Sequence, residues 1–246
     1  MYRVGVVSLG CAKNRVDTEL MLGILEKGGY ALTADESQAD VLIVNTCGFI
    51  NSAKEESVDT LLTLAEYKKT GRLKLLVATG CLAQRYEKDL FEEIPELDLL
   101  MGVNQYEKLP DAIGEALAGR RASYVADDLH ILSGDRVLTT PPYMAYIRVA
   151  DGCDNRCAYC AIPLIRGPFR SRAMDDVLAE IASLASQGVK EHVIVAQDTS
   201  RFGIDAAGRS LLPELLEKAA AIEGVMWLRV LYMYPDEVDE HVLAVM

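Results

Sequence analysis

The sequence has no hydrophobic run long enough to cross a membrane. Half of its 246 residues are hydrophobic, yet no apolar stretch approaches the ~18 residues that a spanning helix needs. The N-terminus lacks a secretory signal pattern, because the apolar segment Val4 to Leu9 is short and no small-residue cleavage site follows it. These absences predict a soluble cytoplasmic protein that makes no membrane contact.

Basic residues are outnumbered, with 25 Lys and Arg against 37 Asp and Glu and a formal net charge of −12. Such a chain is not suited to salt-sensitive, non-specific phosphate binding, although it is compatible with a basic protein partner. Local charge differs from this average around one cysteine-rich loop, where five arginines gather: Arg148, Arg156, Arg166, Arg170 and Arg172.

Groups for acid–base or nucleophilic catalysis are scarce. The three histidines, His130, His192 and His241, are scattered, and we expect each to be structural or exposed. The single tryptophan, Trp227, opens an apolar run and is expected in the core. We find no convincing general-base or nucleophile motif and assign no catalytic residue beyond the thiols described next.

Six cysteines are present without an export signal, which favours a reducing compartment and metal binding over disulfides. Three of them, Cys153, Cys157 and Cys160, have the spacing C-x3-C-x2-C in a loop that follows the strand-like run Tyr143 to Ala150. Closely spaced thiolates of this kind hold iron–sulfur clusters. A structural zinc site and simply buried thiols remain alternatives.

No cysteine follows Cys160. Structural zinc usually takes four ligands, so its fourth ligand would have to be a distant histidine or cysteine. A cubane cluster held by this loop would have three irons bound to protein and one open iron. The open iron suggests that a further group binds there.

The other cysteines follow predicted buried strands that alternate with helices in the first half of the chain. The strands are Arg3 to Leu9, Val41 to Thr46 and Lys74 to Thr79, and this alternation predicts a parallel sheet covered on both faces. We also expect a capping box, Ser52 with Glu55, at the start of the helix after the second strand.

Cys11, Cys47 and Cys81 each lie one or two residues past one of these strands, beside Gly10, Gly48 and Gly80 respectively. Carboxyl ends of parallel strands share one edge of the sheet, so the three thiols can converge there. Three unrelated buried cysteines are the alternative. The preferred interpretation is a second metal site, so that six cysteines form two sets of three.

The predicted architecture is α/β with two domains. Residues 1–119 form the N-terminal parallel-sheet domain, and 120–142 a linker with a short hairpin of 122–125 and 136–139. Residues 143–246 contain three β/α units, the first half of a β/α barrel. Chemistry in barrels lies at the carboxyl ends of strands, where Gln197 to Ser200 and Tyr232 to Tyr234 follow the cysteine loop. Because the sequence stops in the third helix, we expect an incomplete barrel.

The C-x3-C-x2-C loop after the first strand of a β/α pattern resembles the radical S-adenosylmethionine enzymes. In that superfamily the three cysteines hold a 4Fe-4S cluster whose open iron binds S-adenosylmethionine. Tyr159 matches the aromatic residue that commonly packs near the adenine.

The whole chain resembles the methylthiotransferases of the RimO type, which modify an aspartate of small-subunit ribosomal protein S-twelve. The MiaB type, which modifies an adenosine of tRNA, typically has other residues after the first two cysteines and Gln-Asn in place of Gln197-Asp198. The matching segments are Val7 to Asp17, Asn45 to Ile50, Thr79 to Leu82, Ile162-Pro163, Arg166-Gly167, Ser171-Arg172 and Gln197 to Ser200.

The resemblance implies two 4Fe-4S clusters and S-adenosylmethionine as cofactors. Cys153, Cys157 and Cys160 would hold the cluster that cleaves S-adenosylmethionine to a 5′-deoxyadenosyl radical. Cys11, Cys47 and Cys81 would hold an auxiliary cluster that carries the sulfur to be methylated and transferred to the aspartate β-carbon. The implied partners are ribosomal protein S-twelve and an electron donor such as a flavodoxin or ferredoxin.

Two residues are assigned from strand position alone. Gln197 and Arg229 lie on the ends or inner faces of predicted barrel strands, so we expect them to help seat S-adenosylmethionine. Two alternatives remain open for the function: the same chemistry on tRNA, and a non-catalytic iron–sulfur fragment. The family also usually has the rest of the barrel and a terminal β domain, which this sequence does not contain.

Overall fold

The computed structural model describes residues 1–126 and 130–246. The chain forms two compact units, the first of residues 1–137 and 158–166, the second of 138–157 and 167–246. The first unit thus extends past the expected limit at 119 and includes a segment from the cysteine loop onward. The predicted linker contains residues 127–129, which lie outside the described residues. None of the described helices is long and apolar enough to cross a bilayer.

A six-stranded sheet, parallel throughout, organises the first unit, as the alternating pattern predicts. Its strand order is β2-β1-β3-β4-β5-β6. The strands are β1 (Arg3–Ser8), β2 (Ala31–Leu32), β3 (Val41–Thr46), β4 (Leu75–Gly80), β5 (Leu99–Met101) and β6 (Ala122–Tyr124). The register places Ser8 beside Asn45 and Thr46 beside Gly80, so β1, β3 and β4 end at the same edge.

Helices connect and cover these strands. They are α1 (Ala12–Lys27), α2 (Asn51–Ala65), α3 (Tyr67–Thr70), α4 (Cys81–Arg85), α5 (Glu87–Glu93), α6 (Leu109–Leu117) and, from the later segment, α7 (Ile162–Arg166). Every residue of β3 and β4 is buried, because helices pack on both faces of the sheet. Burial on both faces explains why these strands read as continuous apolar runs.

The second unit is built on a three-stranded parallel sheet of order β11-β10-β7. Its strands are β7 (Met144–Arg148), β10 (Glu191–Val195) and β11 (Trp227–Val230), and a separate antiparallel pair joins β8 (Ala150–Asp151) to β9 (Arg170–Ser171). The helices are α8 (Met174–Ser186), α9 (Ile204–Ala207), α10 (Leu212–Ala220) and α11 (Glu240–Val245). Apolar residues of α8 and α10 form one core with Ala145, Ile147 and Ile194 of the sheet. The predicted succession of β/α units is therefore present.

Three sequence-based expectations about local structure are wrong. The capping box is absent, because α2 begins at Asn51 with Ile50 as its N-cap and no side-chain cap, which leaves Ser52 inside the helix. The hairpin is also absent. Ala122–Tyr124 instead pairs in parallel with β5, because helix α6 between the two strands makes a crossover connection.

Trp227 does not lie in the core, since it is 59% exposed. It belongs to β11, which is an edge strand in the order of this sheet, and alternate residues of a strand face opposite sides. Leu228 and Val230 pack against the core, whereas Trp227 lies on the other face, beneath the Arg229 guanidinium at 4.7 Å.

Candidate functional site

Three cysteines follow the three strand ends that meet at one edge of the first sheet. Cys11 comes three residues after β1 ends, Cys47 directly follows β3, and Cys81 directly follows β4. These strands are neighbours in the sheet. Cys11 is exposed, Cys47 is half-buried and Cys81 is buried. The three thiols at this edge therefore differ in their exposure, and Cys11 is the one open to solvent.

Glycines allow the chain to pass close to these cysteines. Gly10 has φ +87°, and a Cβ built on it would lie 2.9 Å from Cys47 Cβ and 3.1 Å from its Sγ. A Cβ on Gly48 would lie 2.9 Å from the carbonyl oxygen of Cys81. Any larger side chain at either position would push the cysteine segments apart. The glycines beside the cysteines thus have a packing reason as well as a conformational one.

The thiols are close enough to influence one another electrostatically. Burial raises the pKa of Cys81 to about 11, opposed by the Arg166 guanidinium and reinforced by Cys11. Burial also raises the pKa of Cys47, and Cys11 again adds to the shift. Both thiols are therefore protonated at neutral pH in the absence of metal, and metal binding has to displace their protons. Cys11 is the N-cap of the 16-residue helix α1.

A buried polar network adjoins Cys81. Arg166 at the end of α7 donates from Nη2 to Asp17 Oδ2 at 2.8 Å, Asn14 Oδ1 at 3.0 Å and Cys81 Sγ at 3.5 Å. Asn14 also donates to the carbonyl oxygen of Thr46 at 3.0 Å. Sequence reasoning included Arg166 only among the arginines near the loop and in a family motif. Asn14 and Asp17 could have been found from their spacing, because residues three positions apart lie on the same face of a helix and both follow Cys11 on α1.

Residues 153–157 of the C-x3-C-x2-C loop belong to the second unit, where their polar groups are hydrogen-bonded. Asp154 Oδ1 accepts a hydrogen bond from the Phe169 amide at 3.0 Å, and Asn155 Nδ2 donates to Asp198 Oδ2 at 3.0 Å. The Cys153 amide donates to the carbonyl oxygen of Gly167 at 3.1 Å. Asp198 lies beyond the carboxyl end of β10, so these bonds hold the loop at the edge where β/α sheets bind their ligands.

The three thiols of this loop have different surroundings. Cys153 is buried, whereas Cys157 and Cys160 are half-buried. The Cys157 Sγ lies 3.5 Å from the Tyr234 hydroxyl. Cys160 and Tyr159 belong to the segment 158–166 of the first unit, where Tyr159 is 84% exposed. Tyr234 belongs to the segment Tyr232 to Tyr234, which the sequence predicts at the carboxyl end of a barrel strand.

Gln197 and Arg229 have different environments in the second unit. Gln197 Nε2 donates to Asp151 Oδ1 at 2.7 Å, beyond the carboxyl ends of β7 and β10. Arg229 Nε donates to Glu191 Oε1 at 2.5 Å, and Glu191 is the first residue of β10. The Arg229 side chain therefore points toward the amino ends of the strands, away from the edge that carries the loop.

Within residues 1–126 and 130–246, no three or more His, Cys, Asp or Glu side chains are gathered as ligands of a single metal ion. In an iron–sulfur cluster each cysteine binds a different iron, so the cysteines surround a group larger than one ion.

Two family models match the chain. Residues 3–102 match a family described as "Uncharacterized protein family UPF0004", and residues 147–244 match the Radical SAM superfamily. The first match includes Cys11, Cys47 and Cys81, and the second includes the C-x3-C-x2-C loop.

Solved structures share the fold at low sequence identity. The radical S-adenosylmethionine methyltransferase TsrM from Kitasatospora setae, solved with cobalamin and a [4Fe-4S] cluster, superposes with a TM-score of 0.60 at 16% identity. That superposition covers 99% of this chain and 58% of the TsrM chain. At this identity the likeness concerns the fold.

Curated relatives are much closer in sequence. A ribosomal protein uS12 methylthiotransferase RimO from Pelotomaculum thermopropionicum is 51% identical over 99% of this chain and 55% of its own length. A protein of the same name from Clostridioides difficile is 47% identical over 100% of this chain and 56% of its own length. The chain spans about half the length of the curated relatives it matches. From this identity along its whole length, together with the two family matches, we conclude that the chain belongs to the radical S-adenosylmethionine methylthiotransferase family, RimO type.

Proposed function

We propose that this protein is a methylthiotransferase that inserts a methylthio group at the β-carbon of an aspartate of ribosomal protein uS12. The names of its relatives support this substrate. The observation that carries the proposal is the pair of cysteine sets, one at three adjacent strand ends and one in a single loop. Each set supplies three thiols, which fits a cluster that keeps one iron open to another ligand.

Cys11, Cys47 and Cys81 would hold the auxiliary 4Fe-4S cluster, and Cys153, Cys157 and Cys160 the cluster that binds S-adenosylmethionine. The close glycine packing at Cys47 and Cys81 supports a site in which backbone and thiols surround a bulky group. When bound, the clusters and S-adenosylmethionine would supply the one-electron chemistry and the sulfur. The protein's own residues would bind the clusters, orient the reactants and exclude competing reactions.

The scarcity of acid–base groups agrees with this chemistry. The β-carbon of an aspartate presents an unactivated C–H bond, which offers no handle to a general base. His192 is buried in the second unit, and His130 and His241 are exposed. No side chain therefore needs the role of proton acceptor from the substrate carbon.

Three residues are proposed as contacts of S-adenosylmethionine: Tyr159, Gln197 and Arg229. The position of Gln197 beyond the strand ends supports its assignment, whereas the bond from Arg229 to Glu191 would have to break first. Alanine variants of each, measured by calorimetric titration of S-adenosylmethionine into reconstituted protein, test the set. A variant that binds as tightly as the parent removes its residue from the proposal.

The remaining assignments concern partners, location and domains. We propose a flavodoxin or ferredoxin as the electron donor, and a cytoplasmic location. We also keep the expected domain division into 1–119, a linker of 120–142 and 143–246, because five strands of the six-stranded sheet lie in the first range and all strands of the three-stranded sheet lie in the last.

Anaerobic reconstitution with iron and sulfide, followed by an assay on uS12 and on tRNA, tests the function. We expect a methylthio group on an aspartate of uS12 by mass spectrometry, with 5′-deoxyadenosine formed alongside it. Modification of tRNA instead would support the MiaB type. The same assay on this chain and on a longer relative separates a catalytic chain from an iron–sulfur fragment, because the fragment forms no 5′-deoxyadenosine while the longer protein does.

A further inference from the structure

Arg166 is a fully buried cation that lies against a cysteine of the first set. Its side chain is 1% exposed and that of its partner Asp17 is 0% exposed. The same nitrogen, Nη2, lies 2.8 Å from Asp17 Oδ2, 3.0 Å from Asn14 Oδ1 and 3.5 Å from Cys81 Sγ. One guanidinium thus contacts a carboxylate, an amide and a thiol at once.

The apolar packing of α7 fixes this position. Ala161 and Ile165 of the segment that carries Arg166 form a small buried cluster with Cys81. Helix α7 packs on α4, whose first residue is Cys81. The approach of Arg166 to the sulfur is therefore set by helix packing, and Asp17 and Asn14 hold the guanidinium at that point.

A buried ion pair by itself is a poor source of stability, because removing two charges from water offsets most of their attraction. An apolar pair of similar volume would serve a purely structural purpose at least as well. The guanidinium of arginine is more weakly hydrated than the ammonium of lysine, so arginine is the better suited cation for a buried contact with a carboxylate and a sulfur. The geometry fits a role directed at the sulfur.

We propose that Arg166 is a positioning residue for the auxiliary cluster, donating a hydrogen bond to the Cys81 sulfur and raising the cluster's reduction potential. The inference rests on the proposed function in one respect, namely that Cys11, Cys47 and Cys81 hold that cluster. Hydrogen bonds to ligand sulfurs and nearby positive charge favour the reduced cluster, which carries one more negative charge. Burial strengthens the effect, because the local dielectric is low.

The test isolates the auxiliary cluster in the full chain. Cys153→Ala, Cys157→Ala and Cys160→Ala together leave one set of thiols, and a redox titration followed by electron paramagnetic resonance measures the potential. In this background we expect Arg166→Gln to shift the reduction equilibrium about tenfold toward the oxidised cluster, a fall of ~59 mV for a one-electron couple. Arg166→Lys keeps the charge and should restore part of the difference.

A matched control comes from a second buried arginine, whose carboxylate partner lies on the same helix, α1, as Asp17. Arg136 pairs with Glu19 at 2.8 Å, and both side chains are buried at 3% and 0% exposure. Glu19 lies two residues from Asp17, so the two carboxylates point to different sides of α1. Arg136→Gln should cost stability in a similar way and leave the potential unchanged.

The outcomes separate this inference from the function it rests on. If the triple cysteine variant binds no iron at all, the proposed auxiliary site is wrong and the inference falls with it. If it binds iron and Arg166→Gln keeps the parent potential, the inference alone is overturned. If Arg166→Gln loses its iron, the reduction potential of Arg166→Lys is measured instead. A lysine variant that keeps its iron and has the parent potential would overturn the role of the guanidinium hydrogen bond.

Discussion

The first three cysteines come from three different strand ends, whereas the last three come from one loop of eight residues. The first set depends on the register of β1, β3 and β4 and on glycines that let their loops approach. The loop of the second set is fixed by its own polar residues, through Asp154 and Asn155. A distributed site should therefore respond to packing changes across the sheet, and a local site mainly to changes within its loop.

The largest expected effect comes from removing one cysteine of each set in turn. Cys81→Ala and Cys157→Ala should each lower the iron content from about eight to about four per chain, because each 4Fe-4S cluster needs its full set of cysteines. Iron and sulfide quantification after anaerobic reconstitution, with electron paramagnetic resonance to identify the remaining cluster, measures this.

The two variants should retain different clusters, and Cys157→Ala should abolish cleavage of S-adenosylmethionine. If either substitution removed all eight irons, the two sets would not be independent. If neither lowered the iron content, the assignment of the thiols would be wrong.

A substitution that touches no ligand sharpens the comparison. Gly10→Ala places a methyl group 2.9 Å from Cys47 Cβ at a residue with φ +87°. We expect a loss of about 1–2 kcal/mol in the free energy of unfolding from the left-handed backbone and a further ~1–3 kcal/mol from the collision. Denaturant unfolding of the apoprotein measures the sum, and only the iron of the first set should fall.

Gly119→Ala is the control for Gly10→Ala. Gly119 has φ +93°, but a Cβ there meets nothing within 4 Å. Gly119→Ala should therefore lose only the free energy of unfolding that the left-handed backbone costs, with no loss from a collision. It should retain the iron of both sets. Equal losses of stability in the two variants would mean that the contact with Cys47 has no energetic weight.

The smallest expected effect concerns the second set. Tyr234→Phe removes the hydroxyl that lies 3.5 Å from Cys157 Sγ. A single hydrogen bond of this kind contributes about 0.5–1.5 kcal/mol, so we expect a stability loss in that range and no loss of iron. Denaturant unfolding is the measurement, with Tyr143→Phe at an exposed tyrosine as control.

Loss of the loop's iron in Tyr234→Phe would contradict the interpretation that the loop fixes its own geometry. It would show instead that the Tyr234 hydroxyl, as well as the bonds of Asp154 and Asn155, holds the thiols in place.

The sequence predicted secondary structure correctly where both faces of a strand are buried. β3 lies within its predicted bounds because both of its faces are buried and its first four residues are apolar. The prediction was wrong where tertiary context decides, as at Ala122–Tyr124, because so short a strand suits a hairpin or a parallel sheet equally well. The edge position of β11 likewise left Trp227 exposed, which its residue type could not indicate.

The sequence by itself determined the cysteine spacings, the parallel β/α pattern and the resemblance to the family, because these depend on residue order and local period alone. Only the tertiary structure decided that Arg166, Asp17 and Cys81 meet, since 149 residues separate the first two and 85 the first and last. A contact over such distances depends on how helices pack on a sheet, and helix packing is set by the summed shape of many side chains.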